Sequence, residues 1–234
     1  MYHKIENTLS HLNQVDDEVI QKDNRRNVFH DNKYVKEYLQ YLSTVPVVSE
    51  NNGAILMNSN SFTYGHKNLI DYARKNVDQL FVFVVQEDKS EFSFDDRFQM
   101  VKDGSAEYDN VIVLPSGKIM GSSMIFPEYF NRDQLNNVEI DMSLDLDIFG
   151  LYIAPMLNIK KRFLGVEKND YVTMKYNESL KRQLPNYGID VIEIDRFKDY
   201  NNQPISAKVV RKALIDGNEE LAFSLVPDST REII

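Results

Sequence analysis

The chain has 234 residues, of which 42% are hydrophobic and 27% are charged, so it is long and apolar enough to bury a full core. Its formal charge of −9 argues against non-specific binding to nucleic acid or to an anionic membrane, because the summed field repels both. It contains no cysteine, so any thiol in its chemistry must come from a partner. No run has the length of a membrane-spanning helix and the N-terminus lacks an apolar signal core, which predicts a cytoplasmic protein.

The first 50 residues differ from the rest because they lack glycine and carry two short stretches of helical spacing. The apolar positions that set this spacing are Ile5, Leu9 and Leu12, then Val35, Leu39 and Leu42. Residues 16–31 between them are dense in charge. We therefore predict a helical appendage over residues 1–50, with a boundary near Pro46, and a main domain over residues 51–234.

From residue 53 onward, short β-rich runs alternate with helical stretches. The runs at 53–57, 80–85, 111–114, 162–166 and 191–194 are predicted as strands. The stretches at 66–75, 94–102, 145–157, 174–184 and 207–216 are predicted as helices. Several of the strands lack polar alternation, which is typical of strands buried on both faces of a parallel sheet. The pattern predicts an α/β fold with a Rossmann-like, doubly wound parallel sheet.

The polar loop at residues 58–66 follows the first predicted strand. Doubly wound sheets bind ligands beyond the carboxyl ends of their strands. Gly65 would let the backbone approach a ligand closely, and His66 begins a helix whose free N–H groups attract phosphate. His66 could donate a hydrogen bond to a phosphate during phosphoryl transfer. Alternatively, Gly65 is an ordinary turn and His66 a satisfied helix-start residue, and the pattern by itself leaves both interpretations open.

A second polar helix start lies near the C-terminus. Ser206 is predicted to cap a helix that runs to Gly217, and Lys208 and Arg211 share one face near its N-terminal end. Cations at that end oppose the helix dipole, and a bound anion would reverse the penalty. The alternative is an exposed cationic face that pairs with Glu219 or Glu220.

The segment after the second strand adds two further cations. Lys89 follows that strand at the carboxyl edge of the sheet, where it could neutralise a carboxylate or a phosphate, and Arg97 in the next helix could do the same. The competing interpretation is a surface cluster of Asp88 and Lys89, which would contribute less than about 1 kcal/mol.

Residues 53–66 resemble the T/HxGH loop of the nucleotidylyltransferase superfamily, and residues 205–211 resemble its ISxSxxR signature. The chain is most similar to one branch, the C-terminal catalytic domain of the citrate lyase ligases. The segments that carry this resemblance lie in the same order at 53–58, 62–66, 83–90, 126–130, 152–155, 172–177 and 225–227. The resemblance implies an HxGH-type nucleotidylyltransferase domain that binds ATP, with Mg²⁺ carried mainly by the nucleotide.

The resemblance also implies roles for individual residues. His66 would contact the phosphates, with Thr63 in place of the first histidine of the HxGH pattern. Ser206 and Arg211 would hold the β- and γ-phosphates, and Asn58 and Phe62 would line the first loop. Lys208 stands where the signature usually has Ser or Thr. Its long cationic side chain would either strengthen the contact with the triphosphate or point away and leave a phosphate contact unmade.

Three functions remain open from the sequence. The first is ATP-dependent adenylylation of a small carboxylate, acetate in this family, with transfer of the acyl group to the thiol of an acyl-carrier protein. The second is a nucleotidylyltransferase that joins AMP or CMP to a phosphorylated metabolite and releases pyrophosphate. The third is a non-catalytic nucleotide-binding module. Citrate lyase ligases carry an N-terminal acetyltransferase-like domain that residues 1–50 are too short to form, and the loop at 117–123 matches the family only in part.

Overall fold

The computed structural model describes residues 32–86, 90–121, 142–168 and 170–234. Its centre is a sheet of five parallel strands in the order β3-β2-β1-β4-β5. The strands are β1 (Asn52–Met57), β2 (Gln79–Val84), β3 (Val111–Pro115), β4 (Ile159–Gly165) and β5 (Asp190–Ile194). The strand order reverses between β1 and β4, which places the ligand crevice of this fold at their carboxyl ends. The predicted α/β doubly wound sheet is confirmed.

Helices cover both faces of the sheet. They are α1 (Lys33–Leu42), α2 (Tyr64–Arg74), α3 (Phe94–Gly104), α4 (Ser143–Ile148), α5 (Ala154–Met156), α6 (Tyr171–Gln183), α7 (Ala207–Ile215), α8 (Glu219–Ser224) and α9 (Asp228–Arg231). A π-helical turn at Phe149–Ile153 joins α4 to α5, and a 3₁₀ turn at Leu184–Tyr187 follows α6. None of the helices within these ranges is long and apolar enough to cross a membrane.

The strands separate two apolar clusters because their side chains alternate between the two faces. Ala54 and Phe81 point to the face covered by α1 and the segment from α4 to α5. Ile55 and Val82 point to the opposite face, where Ile70 of α2 covers them. Every residue of β2 is buried, which explains the absence of polar alternation in its sequence.

The predicted helices are confirmed with small differences at their ends. The helix predicted at 174–184 begins three residues earlier, at Tyr171, and the helix predicted at 145–157 begins at Ser143 and includes the π-helical turn. Phe149, Tyr152 and Met156 of this segment are buried in the core on the first face of the sheet. The first predicted helix of the chain lies outside the described residues.

Helix α1 packs on the main body of the protein. Its buried residues join the cluster on the first face of the sheet, and the Tyr38 hydroxyl donates a hydrogen bond of 2.6 Å to the carbonyl oxygen of Pro115. Gly117, with φ of 65°, lies so close that an added Cβ would be 2.5 Å from the Tyr38 ring. Helix α1 therefore packs against the domain formed by the residues after it. The predicted boundary between residues 50 and 51 stays a prediction.

Candidate functional site

A cleft of about 810 Å³ opens at the carboxyl ends of β1, β4 and β5. It gathers residues from the first polar loop and from the start of α7, which are far apart in the sequence. The predicted site residues that line it are Asn58, Thr63, Gly65, His66, Ser206, Lys208 and Arg211. Lys89 lies outside the described residues, so its predicted role is not tested. The cleft therefore brings together most of the residues that the sequence singles out.

His66 lies in the first turn of α2, and one edge of its ring faces the backbone of Thr63. Its Nδ1 atom lies 3.1 Å from the backbone N–H of Thr63 and 3.1 Å from the Thr63 hydroxyl. Because the Thr63 N–H donates to Nδ1, that atom must be the unprotonated one, and the proton of a neutral ring is then on Nε2. Since His66 lines the cleft, Nε2–H is available as a donor to a ligand.

The imidazole is held in its neutral form. Burial, with a smaller effect from the charge of Arg196, lowers the pKa of His66 from 6.5 to about 4. At neutral pH the ring therefore contributes a hydrogen-bond donor without a full charge. A neutral donor of this kind can stabilise the negative charge that develops on a phosphate oxygen during a reaction.

Phe62 does not line the cleft, which corrects its predicted role as a nucleotide contact. Its side chain is fully buried and stacks under the imidazole of His66, with ring centroids 5.9 Å apart. A Cβ added to Gly104 of α3 would lie 2.5 Å from the Phe62 ring, so the space is completely filled. Phe62 supports His66 from behind because the loop turns its large apolar side chain into the core.

Gly65 allows the N-terminal end of α2 to pack closely against the segment that precedes α7. A Cβ at this position would be 3.3 Å from the carbonyl oxygen of Ile205, in the residue that precedes the cap of α7. The backbone N–H of Tyr64 also donates to the carbonyl oxygen of Leu225 at 3.0 Å. Gly65 therefore permits a close approach of the second site segment, and its predicted close approach to a ligand stays a prediction.

Ser206 and Lys208 present donors at the start of α7. The Ser206 oxygen accepts a hydrogen bond of 3.4 Å from the Val209 N–H, as an N-cap residue does, and its own hydrogen remains available to a ligand. Lys208 is exposed at the cleft and has no ion-pair partner within the described ranges. The predicted pairing of this face with Glu219 or Glu220 does not occur for Lys208. Both side chains can therefore reach an anion in the cleft.

Arg211 is less free than Lys208. Its guanidinium donates to the carbonyl oxygen of Asn60 in the first loop, and its Nε lies 3.0 Å from a carboxylate oxygen of Glu91. The Glu91 side chain is 62% exposed, so a stronger anion could replace it. Arg211 thus joins the second helix start to the first loop, beside the cleft.

Arg97 does not face the cleft, contrary to the prediction that it could neutralise a carboxylate or phosphate there. It is fully buried, and its Nη1 donates to the carbonyl oxygens of Val85 and Asn58 and to the Asn58 side chain at 2.8–2.9 Å. Its Nε donates to the carbonyl oxygen of Phe92. Arg97 therefore fixes the first loop to the end of β2, and it orients the amide of Asn58 toward the cleft.

Sequence reasoning missed two cations of the cleft. Arg162 of β4 is 3% exposed and lines the cavity, although the sequence, in which it follows Lys160 and Lys161 within a strand, does not distinguish it from these surface cations. Arg196 follows β5, pairs with Glu167 and accounts for part of the pKa shift of His66. The position after a parallel strand is a general signal for site residues, and it applies to Arg196.

Fold and cleft together define an α/β protein with two helix N-termini and several cations around one crevice, a combination that attracts anions. Residues 52–234 match the family described as the citrate lyase ligase C-terminal domain. The chain belongs to this family. The resemblance inferred from the sequence is thereby confirmed.

Two relatives found by sequence agree with this assignment. A [Citrate [pro-3S]-lyase] ligase of Haemophilus influenzae is 39% identical over 183 residues, which cover 76% of this chain and 54% of that protein. The enzyme of the same name from Escherichia coli is 34% identical over 201 residues, 84% of this chain and 57% of that protein. The chain thus spans about half the length of the relatives it matches. Thermotoga maritima TmcAL, solved with alpha-thio ATP, has 13% identity and a TM-score of 0.48 over 78% of this chain and 55% of that one.

Proposed function

We propose that this chain catalyses the ATP-dependent adenylylation of acetate and passes the acetyl group to the thiol of an acyl-carrier protein. The observation that carries the proposal is the meeting of His66 and the start of α7 in one cleft, in a chain of the citrate lyase ligase family. Relatives named [Citrate [pro-3S]-lyase] ligase support the substrate and the acceptor. The thiol belongs to the partner, because this chain has no cysteine.

The residues of the cleft fit a triphosphate. The positive ends of α2 and α7 attract phosphate oxygens, and the Ser206 hydroxyl and the Lys208 ammonium add donors at the same place. Arg211 completes the site when a phosphate replaces Glu91. Mg²⁺ enters on the nucleotide and supplies charge neutralisation there.

In the proposed reaction, one oxygen of the acetate carboxylate attacks the α-phosphorus of ATP. A new P–O bond forms while the bond from the α-phosphorus to the bridging oxygen breaks, and pyrophosphate leaves with its electron pair. The neutral His66 donates from Nε2 to the phosphate chain and stabilises charge that grows in the transition state. The thiolate of the carrier then attacks the acetyl carbonyl, and AMP leaves.

An exchange experiment tests the proposal. The protein is incubated with ATP, Mg²⁺ and labelled pyrophosphate, and the return of label into ATP is measured with each of several acids. Exchange that requires acetate supports adenylylation of a carboxylate. Exchange that instead requires a phosphorylated alcohol would replace the proposal with a nucleotidylyltransferase. Absence of exchange with every acid and alcohol, together with absence of ATP binding by calorimetry, would contradict both.

A further inference from the structure

The guanidinium of Arg162 is buried at the wall of the cleft with one nitrogen unused. Only 3% of the residue is exposed, and Nη1 has no hydrogen-bond partner in the described part of the chain. A buried charged donor without a partner is strongly unfavourable when nothing compensates it. Because Arg162 lines the cavity, a ligand there can supply the missing acceptor.

The neighbours of Arg162 hold the guanidinium in place without occupying Nη1. The ring of Phe149 lies 4.6 Å from the guanidinium carbon, on the side of the core. Asp145, which accepts a hydrogen bond of 2.6 Å from the Tyr176 hydroxyl, interacts electrostatically with the charge of Arg162. Burial lowers the pKa of Arg162, yet an arginine stays charged at neutral pH. The cation is therefore permanent and firmly positioned.

Asp145 does not remove the need for a second anion. One of its oxygens accepts the backbone N–H of Gly121 at 2.8 Å, and the other accepts the Tyr176 hydroxyl. Burial raises the pKa of Asp145, so its negative charge is less stable than that of an exposed carboxylate. Nη1 of Arg162 is left for a ligand in the cleft.

The walls next to this group are apolar and close together. Ala54 pairs with Arg162 across β1 and β4, so Leu56, two residues along β1, lies on the same face of the sheet. A Cβ on Gly121 would be 3.2 Å from the Leu56 side chain and 3.4 Å from Val85. Leu56, Val85 and Gly121 therefore form an apolar part of the wall of the cavity that Arg162 also lines, and such a wall suits an alkyl group.

We propose that Arg162 binds the carboxylate of the acid substrate, and that Leu56 and Val85 enclose its alkyl group beside Gly121. This subsite rests on the proposed function and adds to it the residues that select a short acid. Nη1 holds one carboxylate oxygen, which leaves the other to attack the α-phosphorus. In the acyl-adenylate the held oxygen becomes the carbonyl oxygen, and the same guanidinium stabilises its negative charge when the thiol attacks.

Steady-state exchange kinetics of Arg162→Met test this assignment. Loss of a charge-assisted hydrogen bond predicts a rise of about 10- to 100-fold in KM for acetate, with KM for ATP changed by less than about threefold. Arg162→Lys, which keeps the charge but not the planar fork, should give an intermediate KM and serves as the probe if the methionine variant does not fold. Arg182→Met on the exposed surface of α6 is the matched control and should leave both constants unchanged.

A binding experiment gives a readout that does not depend on turnover. Calorimetry compares adenosine sulfamate with its N-acetyl derivative, which imitates acetyl-adenylate, so the difference in Kd reports the acetyl subsite. Arg162→Met should abolish the gain from the acetyl group and leave the Kd of the unacetylated compound unchanged. Equal weakening of both compounds would overturn the assignment, because it would show a general loss of structure.

The two proposals fail in different ways. If the wild-type protein shows no acetate-dependent exchange, the proposed function fails and the subsite fails with it. If the wild type exchanges with acetate while KM for acetate is unaltered in Arg162→Met, only the assignment of Arg162 is overturned. Leu56→Ala should raise kcat/KM for butyrate relative to acetate, and an unchanged ratio would remove Leu56 from the wall of the subsite.

Discussion

The guanidinium of Arg211 donates a hydrogen bond to the carbonyl oxygen of Asn60, although 151 positions separate the two residues in sequence. Glu91 is the third member of this group, because it accepts from both the Arg211 Nε and the Asn60 side chain. The side-chain amide oxygen of Asn60 also accepts a hydrogen bond of 3.2 Å from the backbone N–H of Phe92. Three chain segments thus meet at the entrance of the cleft, and a phosphate that binds Arg211 must compete with Glu91.

Arg211→Ala should weaken ATP binding by about 10- to 100-fold, since a charge-assisted contact to a phosphate is lost. The loss should shrink as salt is raised, because the lost contact is electrostatic. Titration calorimetry at two salt concentrations measures this. Lys212→Ala is the matched control, since Lys212 on the same helix is exposed and pairs with Asp216. Equal effects of the two substitutions would contradict a direct role of Arg211.

Glu91→Gln should have the opposite effect and strengthen ATP binding by up to about fivefold, as expected from loss of an exposed ion pair. The amide keeps an acceptor for Asn60 while it removes the charge that competes for Arg211. The dissociation constant of ATP is the measurement, and Glu107→Gln, at a surface pair with Lys67, is the control. Weaker binding in Glu91→Gln would mean that the carboxylate itself contributes to the nucleotide site.

His66→Ala should lower turnover by on the order of 10² or more, because the donor to the phosphate chain is lost. The substitution also removes the acceptor for the Thr63 N–H, so His66→Asn is the sharper probe. An asparagine can accept that N–H with its amide oxygen, yet it does not reach the position of Nε2. Exchange rates and thermal unfolding are compared for both variants. Full activity in His66→Asn would show that His66 serves only as a helix cap.

The pH dependence of stability should carry a contribution from His66. Its pKa is about 4 in the folded protein and 6.5 in the unfolded chain, so between these values the unfolded state binds more protons. The contribution is complete above pH 6.5 and is lost as the pH falls through 4, to a total on the order of 3 kcal/mol. Denaturant unfolding of the wild type and of His66→Asn across this range measures it. An NMR titration midpoint near 6.5 for His66 would contradict the shift.

The fold was accessible from the sequence because its strongest signals are local. Continuous apolar runs such as Leu80–Val85 predict buried parallel strands, and the two polar helix starts predict where ligands bind. The order of the strands and the meeting of Gly65 with Ile205 depend on contacts between distant segments. These long-range contacts leave no local pattern, and the family resemblance supplied what periodicity could not.

At three positions of the site, the polarity of the local segment does not match the position of the side chain. Phe62 and Arg97 sit in or next to polar segments, yet both side chains turn inward. Arg162 follows two lysines in β4, yet it is buried at the wall of the cleft. Residue type predicts burial well for aliphatic side chains and poorly for arginine, whose long stem can serve either environment. The position of a buried arginine side chain depends on the carbonyl oxygens or carboxylates that accept its hydrogen bonds. These acceptors come from other parts of the chain.

Arg97→Leu should destabilise the protein by about 3 kcal/mol or more, because several carbonyl oxygens lose a buried charged donor. Chemical denaturation measures the free energy of unfolding, and Lys102→Leu on the exposed face of α3 is the matched control. Since Arg97 is buried and does not line the cleft, the shift in melting temperature that ATP produces should persist in whatever fraction remains folded. If the variant instead loses the ATP-induced shift while the free protein is as stable as the wild type, Arg97 contributes to phosphate binding, as the sequence predicts. The same comparison separates Arg97 from Arg211, for which the ATP-induced shift, and not the stability of the free protein, should fall.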